Sequence, residues 1–194
     1  NTGLRAAKGS YIARFDADDI CLPERLAKQI NFLDKNPDYV LVGSDAEYIT
    51  EAGEHLFNFQ SRAYTHEAIL QQLYAGCPFI HSGVMFRKEP VLQAGGYSSD
   101  AHTFEDYLLW VQLVKYGKYF NLPERLLKVR YNPASATMDE KWRGHRFRQL
   151  KKTIIHRGKV VKDEGEELLE IIMKQNDPQI MEASYYALCG KKFL

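Results

Sequence analysis

Apolar and polar positions along the chain switch repeatedly between the period of a strand and that of a helix. Residues 1–9 read as a short helix closed by Gly9, and 11–15 (YIARF) as a buried strand. In 23–35, Leu26, Ile30 and Leu33 recur at spacings of four and three. That single apolar stripe predicts an amphipathic helix opened at Pro23 and stopped by Asn36-Pro37. Residues 39–43 (YVLVG) predict a second buried strand, and 45–59 alternate about Glu51-Ala52-Gly53-Glu54 as a hairpin does. Thr65 is placed to cap a helix bearing Ile69, Leu70, Leu73 and Tyr74. Residues 79–86 are strand-like, with His81 and Ser82 near their start, and 89–94 form a brief helix before Gly95-Gly96. Residues 103–116 predict a largely buried helix with Thr103 as N-cap and Asp106 at N3. Strands follow at 120–122 and 126–131, the second ending in the loop 132–135. From 139 to 194 the composition is helical.

This alternation gives an α/β fold class, and 194 residues suffice for one domain with a real core. The balance of 45% hydrophobic to 26% charged residues is that of a soluble globular protein. A net charge of +1 excludes a globally polyanionic or polycationic strategy, so nucleic acid is not an expected partner. No apolar run has the length of a membrane span and no signal peptide is visible. Three dispersed cysteines, Cys21, Cys77 and Cys189, point to reduced thiols in the cytoplasm. The chain opens on Asn1 and enters a strand almost at once, which reads as a processed chain or a piece of a longer one. Every charged residue from Lys141 to Lys162 is basic. This stretch is either a solvated helical face or a surface that docks on anionic lipid at the inner face of the membrane.

Two acidic clusters carry the candidate chemistry. Asp16, Asp18 and Asp19 follow the 11–15 strand directly, at the strand end where α/β sheets collect ligands. Mg²⁺ and Mn²⁺ take one or two carboxylates together with substrate phosphates, so this turn can serve such an ion. Glu105-Asp106 enters the 103–116 helix, which would hold a general base rigidly beside a substrate hydroxyl. Helix capping is the competing explanation at both places.

Several segments resemble family 2 glycosyltransferases of the GT-A fold. Asn1-Thr2-Gly3-Leu4, Ala7-Lys8-Gly9-Ser10-Tyr11-Ile12 and Asp16-Ala17-Asp18-Asp19 are similar to the middle of that family. His81-Ser82-Gly83-Val84-Met85-Phe86-Arg87, Gly95-Gly96-Tyr97, Glu105-Asp106-Tyr107-Leu108-Leu109-Trp110, Leu122-Pro123-Glu124 and Leu126-Leu127-Lys128-Val129-Arg130-Tyr131 follow in the family's order. The resemblance implies a mixed sheet flanked by helices over 1–137, with a helical extension at 138–194. It implies inverting transfer of a sugar from a nucleotide-sugar donor to a glycan or lipid-linked acceptor, in building a cell-surface polysaccharide. Asp18 and Asp16 would meet the divalent cation, Mn²⁺ or Mg²⁺. Asp106 would be the base, with Glu105 beside the acceptor. Asn1, Arg5, Asp16, Asp19 and Arg130 would lie toward the donor, and His81, Ser82 and Trp110 toward the acceptor. A non-catalytic, carbohydrate-binding remnant of the same fold is the alternative. Two departures stand out. Asn132 occupies the place of the family's usual His after the last strand, and the family's leading nucleotide-binding segment is not in this chain. The 11–15 strand is therefore expected at a sheet edge, inviting self-association, and the chain alone is expected to be inactive.

Overall fold

The computed structural model describes residues 1–131, 143–175 and 178–190. Six strands form one mixed sheet: β1 (Tyr11–Ala13), β2 (Ile20–Cys21), β3 (Tyr39–Ile49), β4 (His55–Phe59), β5 (Met85–Arg87) and β6 (Lys118–Arg130). Their order is β1-β5-β3-β6-β2, with β4 hairpinned onto β3. The long central pair, β3 and β6, is parallel, and every other pairing is antiparallel. Residues Val40 to Ala46 of β3 are buried without interruption, because helices cover the sheet on both sides there. Around the sheet lie α1 (Thr2–Ala6), α2 (Arg25–Lys35), α3 (His66–Leu73), α4 (Lys88–Gln93) and α5 (Glu105–Leu113), followed by α6 (His145–Arg157), α7 (Lys162–Gln175) and α8 (Pro178–Gly190).

The main core joins sheet and helices into one body. Leu41, Phe86 and Tyr119 of the sheet pack with Leu108, Trp110 and Leu113 of α5, and Phe147, Ile154, Leu168 and Ile172 of α6 and α7 complete it. The helices α6 and α7 thus share the core of the sheet domain. The boundary expected at 137/138, the loop 132–135 and Asn132 lie outside the described residues.

The hairpin forms as its sequence predicts, with Gly53 at φ 87°, a left-handed conformation that suits glycine. The Thr65 hydroxyl caps α3 by accepting from the Ala68 N–H. Other elements differ from the pattern. Residues 79–86 hold a 3₁₀ turn at His81–Gly83 and only a short β5. The segments 120–122 and 126–131 are one strand, β6, whose register shifts between Leu122 and Arg125. Pro123, which has no N–H to donate, is accommodated at that irregularity. Thr103 does not cap α5. It sits at φ 71°, Phe104 takes the N-cap, and Asp106 is the second helical residue. The 11–15 strand is shorter than expected and leaves Phe15 exposed. The largest departure is α2, which turns Arg25 and Gln29 inward with Leu33 and leaves Leu26 47% and Ile30 38% exposed.

Candidate active site

The acidic turn begins where β1 runs out of partners. The ladder to β5 ends with the Arg14 N–H donating to Val84 O at 3.0 Å. The chain then crosses to β2 at the other end of the strand order, and Asp16, Asp18 and Asp19 occupy that crossing. None of them caps α2, whose N-cap is Glu24 without a side-chain bond. Asp19 is the anchored member. Its carboxylate accepts from the Ser82 hydroxyl and from the Arg130 N–H at 2.7 Å. Burial, reinforced by Asp16 and Asp18, raises its pKa against the lowering effect of those two bonds. Ser82 also accepts from the Asp16 N–H at 3.4 Å, so one hydroxyl ties the acidic turn to the 3₁₀ turn. Asp16 pairs with Arg14. The Arg130 guanidinium donates to the carbonyls of Asp18 (2.8 Å), Thr50 (3.1 Å) and Glu51 (2.5 Å), clamping the turn from below.

The second cluster lies across the same 3₁₀ turn. His81, next to Ser82, places Nδ1 3.9 Å from Asp106 Oδ2 and Nε2 3.0 Å from the Tyr97 hydroxyl. Burial, helped by the Arg14 charge, drives the His81 pKa down to about 3, so the approach to Asp106 at neutral pH is not an ion pair. Asp106 goes the other way. Burial, aided by Glu105, lifts it from 3.8 to about 6, although the Tyr107 N–H, Lys151 and Arg14 act to lower it. Its side chain remains 20% exposed, so a path from solvent is open. Arg14, paired with Asp16, is thus felt at His81, Tyr97 and Asp106, and both acidic clusters share one electrostatic neighbourhood.

The other expected residues fall in different places. Trp110 is 0% exposed and backs His81 and Phe86 from the core, so a direct acceptor contact for it is ruled out. Asn1 uses its amide on Tyr97, donating to its carbonyl (2.8 Å) and accepting from its N–H (2.9 Å). Arg5 is exposed on α1. Glu105 lines a cavity of about 370 Å³ between the 98–103 loop and Leu169 and Ile172 of α7. Arg14 and Tyr97 went unnoticed as site residues. An Arg alternating with acidic positions carries no period of its own, and Tyr97 was visible only as the third residue of Gly95-Gly96-Tyr97.

Hard oxygen donors in one turn are the right chemistry for Mg²⁺ or Mn²⁺. Among the described residues no group of three His, Cys, Asp or Glu converges on one ion position. Asp19 is committed to Ser82 and Arg130 and Asp16 is paired with Arg14, while Asp18 is the most exposed of the three.

A mixed sheet flanked by helices is the architecture of GT-A glycosyltransferases. A solved mannosyltransferase from Pyrobaculum calidifontis, in complex with GDP-Man and Mn²⁺, superposes with a TM-score of 0.51 at 16% identity, covering 97% of this chain and 51% of that one. Residues 1–94 match the profile of Glycosyl transferase family 2. Over 148 residues the chain is 36% identical to the amylovoran biosynthesis glycosyltransferase AmsE of Erwinia amylovora, covering 76% of this chain and 53% of that one. It is 34% identical over 139 residues to the O-antigen biosynthesis glycosyltransferase WbnJ of Escherichia coli, covering 70% and 53%. The family profile over residues 1–94 and these relatives together support a family 2 glycosyltransferase. It spans about half the length of these relatives.

Proposed function

We propose that the protein transfers a sugar from a nucleotide-sugar donor to a saccharide acceptor, with inversion, in the synthesis of a cell-surface polysaccharide. The observation that carries this reading is Asp106: a largely buried carboxylate, raised to about 6, linked through His81 and Ser82 to the acidic turn. A carboxylate of that pKa is ionised at neutral pH and is a stronger base than an ordinary Asp. Asp106 removes the proton from the acceptor hydroxyl as its oxygen attacks the anomeric carbon, on the face opposite the departing diphosphate. Neutral His81 packs beside the base on the acceptor side. Glu105 holds the acceptor, and the cavity beside it gives a saccharide room. Asp18 and Asp16 would hold Mn²⁺ or Mg²⁺, which when bound neutralises charge on the leaving diphosphate. Arg14 then faces the donor once Asp16 has another partner.

The C-terminal helices bear on where this happens. Arg146 and Arg157 of α6 are paired with Glu167 and Glu164 of α7, while Arg148, Lys152 and Lys159 are exposed. We propose that this remaining positive face rests on anionic lipid and brings the site to a lipid-linked acceptor. Among the described residues no helix is long and apolar enough to cross a membrane.

Release of nucleoside diphosphate by the full-length gene product, supplied with UDP-, GDP- and dTDP-sugars and Mn²⁺, tests the reaction. Turnover should fall by roughly 10² or more in Asp106→Asn. Undiminished turnover in that variant would remove Asp106 from the chemistry and the proposal with it.

A further inference from the structure

We propose that Arg25, with Gln29 one turn further along α2, is a positioning residue that fixes the donor-side acidic turn against the 3₁₀ turn carrying His81 and Ser82. The inference rests on the transferase reading given above and adds to it a pair of residues that touch neither substrate nor ion.

The helix that carries them is inside out. Arg25 is 1% exposed and Gln29 is fully buried, while Leu26 and Ile30, both available on the neighbouring stripe, face outward. Burying a guanidinium in place of a leucine is unfavourable unless every donor is matched, so its partners show what it is for. Beside the Cys21 and Gln29 side chains, they are main-chain carbonyls of the two segments that carry the site. Arg25 Nη2 donates to Arg14 O at 2.7 Å and to Val84 O at 3.2 Å. Arg25 Nε donates to Gln29 Oε1 at 3.1 Å, and Gln29 Nε2 passes the connection to Gly83 O at 2.7 Å and Val42 O at 3.4 Å.

These bonds sit at the last rung that joins the two segments, where the Arg14 N–H donates to Val84 O. The β1–β5 ladder ends at Arg14 and Val84, two residues before Asp16 and two after Ser82. Beyond that point the segments are joined, among the described residues, through the Ser82 hydroxyl, between the Asp16 N–H and the Asp19 carboxylate. Arg25 braces the strand ends from which that crosspiece hangs. Its charge is also felt at Asp19, the member of the turn that carries the like charges of Asp16 and Asp18 beside it. A planar fork serving two carbonyls and an amide at once is a task lysine can perform only in part.

The test is binding of Mn²⁺ with UDP, GDP or dTDP to the full-length protein. It is followed by electron paramagnetic resonance at a temperature where circular dichroism shows each variant folded. Arg25→Met should weaken binding by roughly tenfold to a hundredfold, the range for losing a residue that orients ligands from behind. Arg25→Lys should recover part of that loss, Gln29→Met should show a smaller loss, and Leu26→Gln on the outer face should bind as the parent does. The donor KM should rise in the same order while the acceptor KM stays in place. If the Arg25 and Gln29 variants melt earlier yet bind and turn over like the parent, the pair is merely part of the packing and the proposal is wrong. Should Arg25→Met not fold, Arg25→Lys and Gln29→Met decide by the same criterion. A parent protein that binds none of the three nucleotides with Mn²⁺ would overturn the transferase reading itself, and this inference with it.

Discussion

Asp106→Asn should make the protein more stable at neutral pH while cutting transfer by roughly 10² or more. Asn matches the shape of a protonated Asp and keeps an oxygen for the Tyr107 N–H, now 2.7 Å from Oδ1. The wild-type carboxylate titrates near 6 when folded, against an ordinary value of 3.8. Burial therefore favours the protonated form, and the folded protein loses stability as pH rises through that interval. About two pH units at 1.36 kcal/mol each give an upper bound of about 3 kcal/mol. The fifth of the side chain still open to water brings the expected gain to about 2 kcal/mol. For a chain of this size that is a melting temperature higher by about 4–8 °C. The assay is thermal unfolding of both proteins at pH 4 and pH 8. The variant should gain at pH 8, and the gain should shrink to nearly nothing at pH 4, where the wild-type group is protonated in the folded state and half so when unfolded. Equal melting temperatures at both pH values, or a less stable variant at pH 8, would show that Asp106 is solvated and unsuited to act as a raised-pKa base.

Other consequences follow from the same geometry. The kcat/KM of transfer should fall tenfold per pH unit below about 6, with no second limb from His81, which stays neutral to about pH 3. A limb that persists in Asp106→Asn would assign it to another group. Gly96→Val should destabilise by about 1–3 kcal/mol, because φ is 74° there and a Cβ would lie 2.6 Å from the Asn1 oxygen that holds Tyr97. An unchanged melting temperature would show that the Asn1–Tyr97 bridge is loose. β1 pairs only with β5 at the end of the strand order, so this chain taken alone should show mass rising with concentration in light scattering. A constant monomer mass at micromolar concentration would count against a sticky edge.

Local chemistry that acts within a few residues was legible in the sequence. Gly53 in its turn and Thr65 at its cap predicted the elements that form, and the apolar run 39–43 predicted the first half of β3, which continues to Ile49. The two acidic clusters were legible as motifs, and the structure brings them to either side of His81–Ser82. What escaped depends on the tertiary environment. An apolar stripe ordinarily faces the core, yet α2 turns Arg25 and Gln29 inward because carbonyls at the ends of β1 and before β5 need donors. Trp110 reads as an acceptor contact from its place beside Glu105-Asp106, but it lies one turn beyond Asp106 on the same side of α5, deeper in the core and covered by His81 and Phe86. Thr103 resembled a cap until the chain bent to φ 71° and passed that role to Phe104.

The central claim is that the acidic turn holds the donor and Asp106 acts on it from across the sugar. A crystal structure of the full-length protein with Mn²⁺ and its nucleotide-sugar bound tests this most directly. The account predicts the ion on Asp18, bridging to the diphosphate, with the Asp106 carboxylate facing the anomeric carbon from the opposite side. An ion held elsewhere, or a donor whose reactive face is turned away from Asp106, would contradict it.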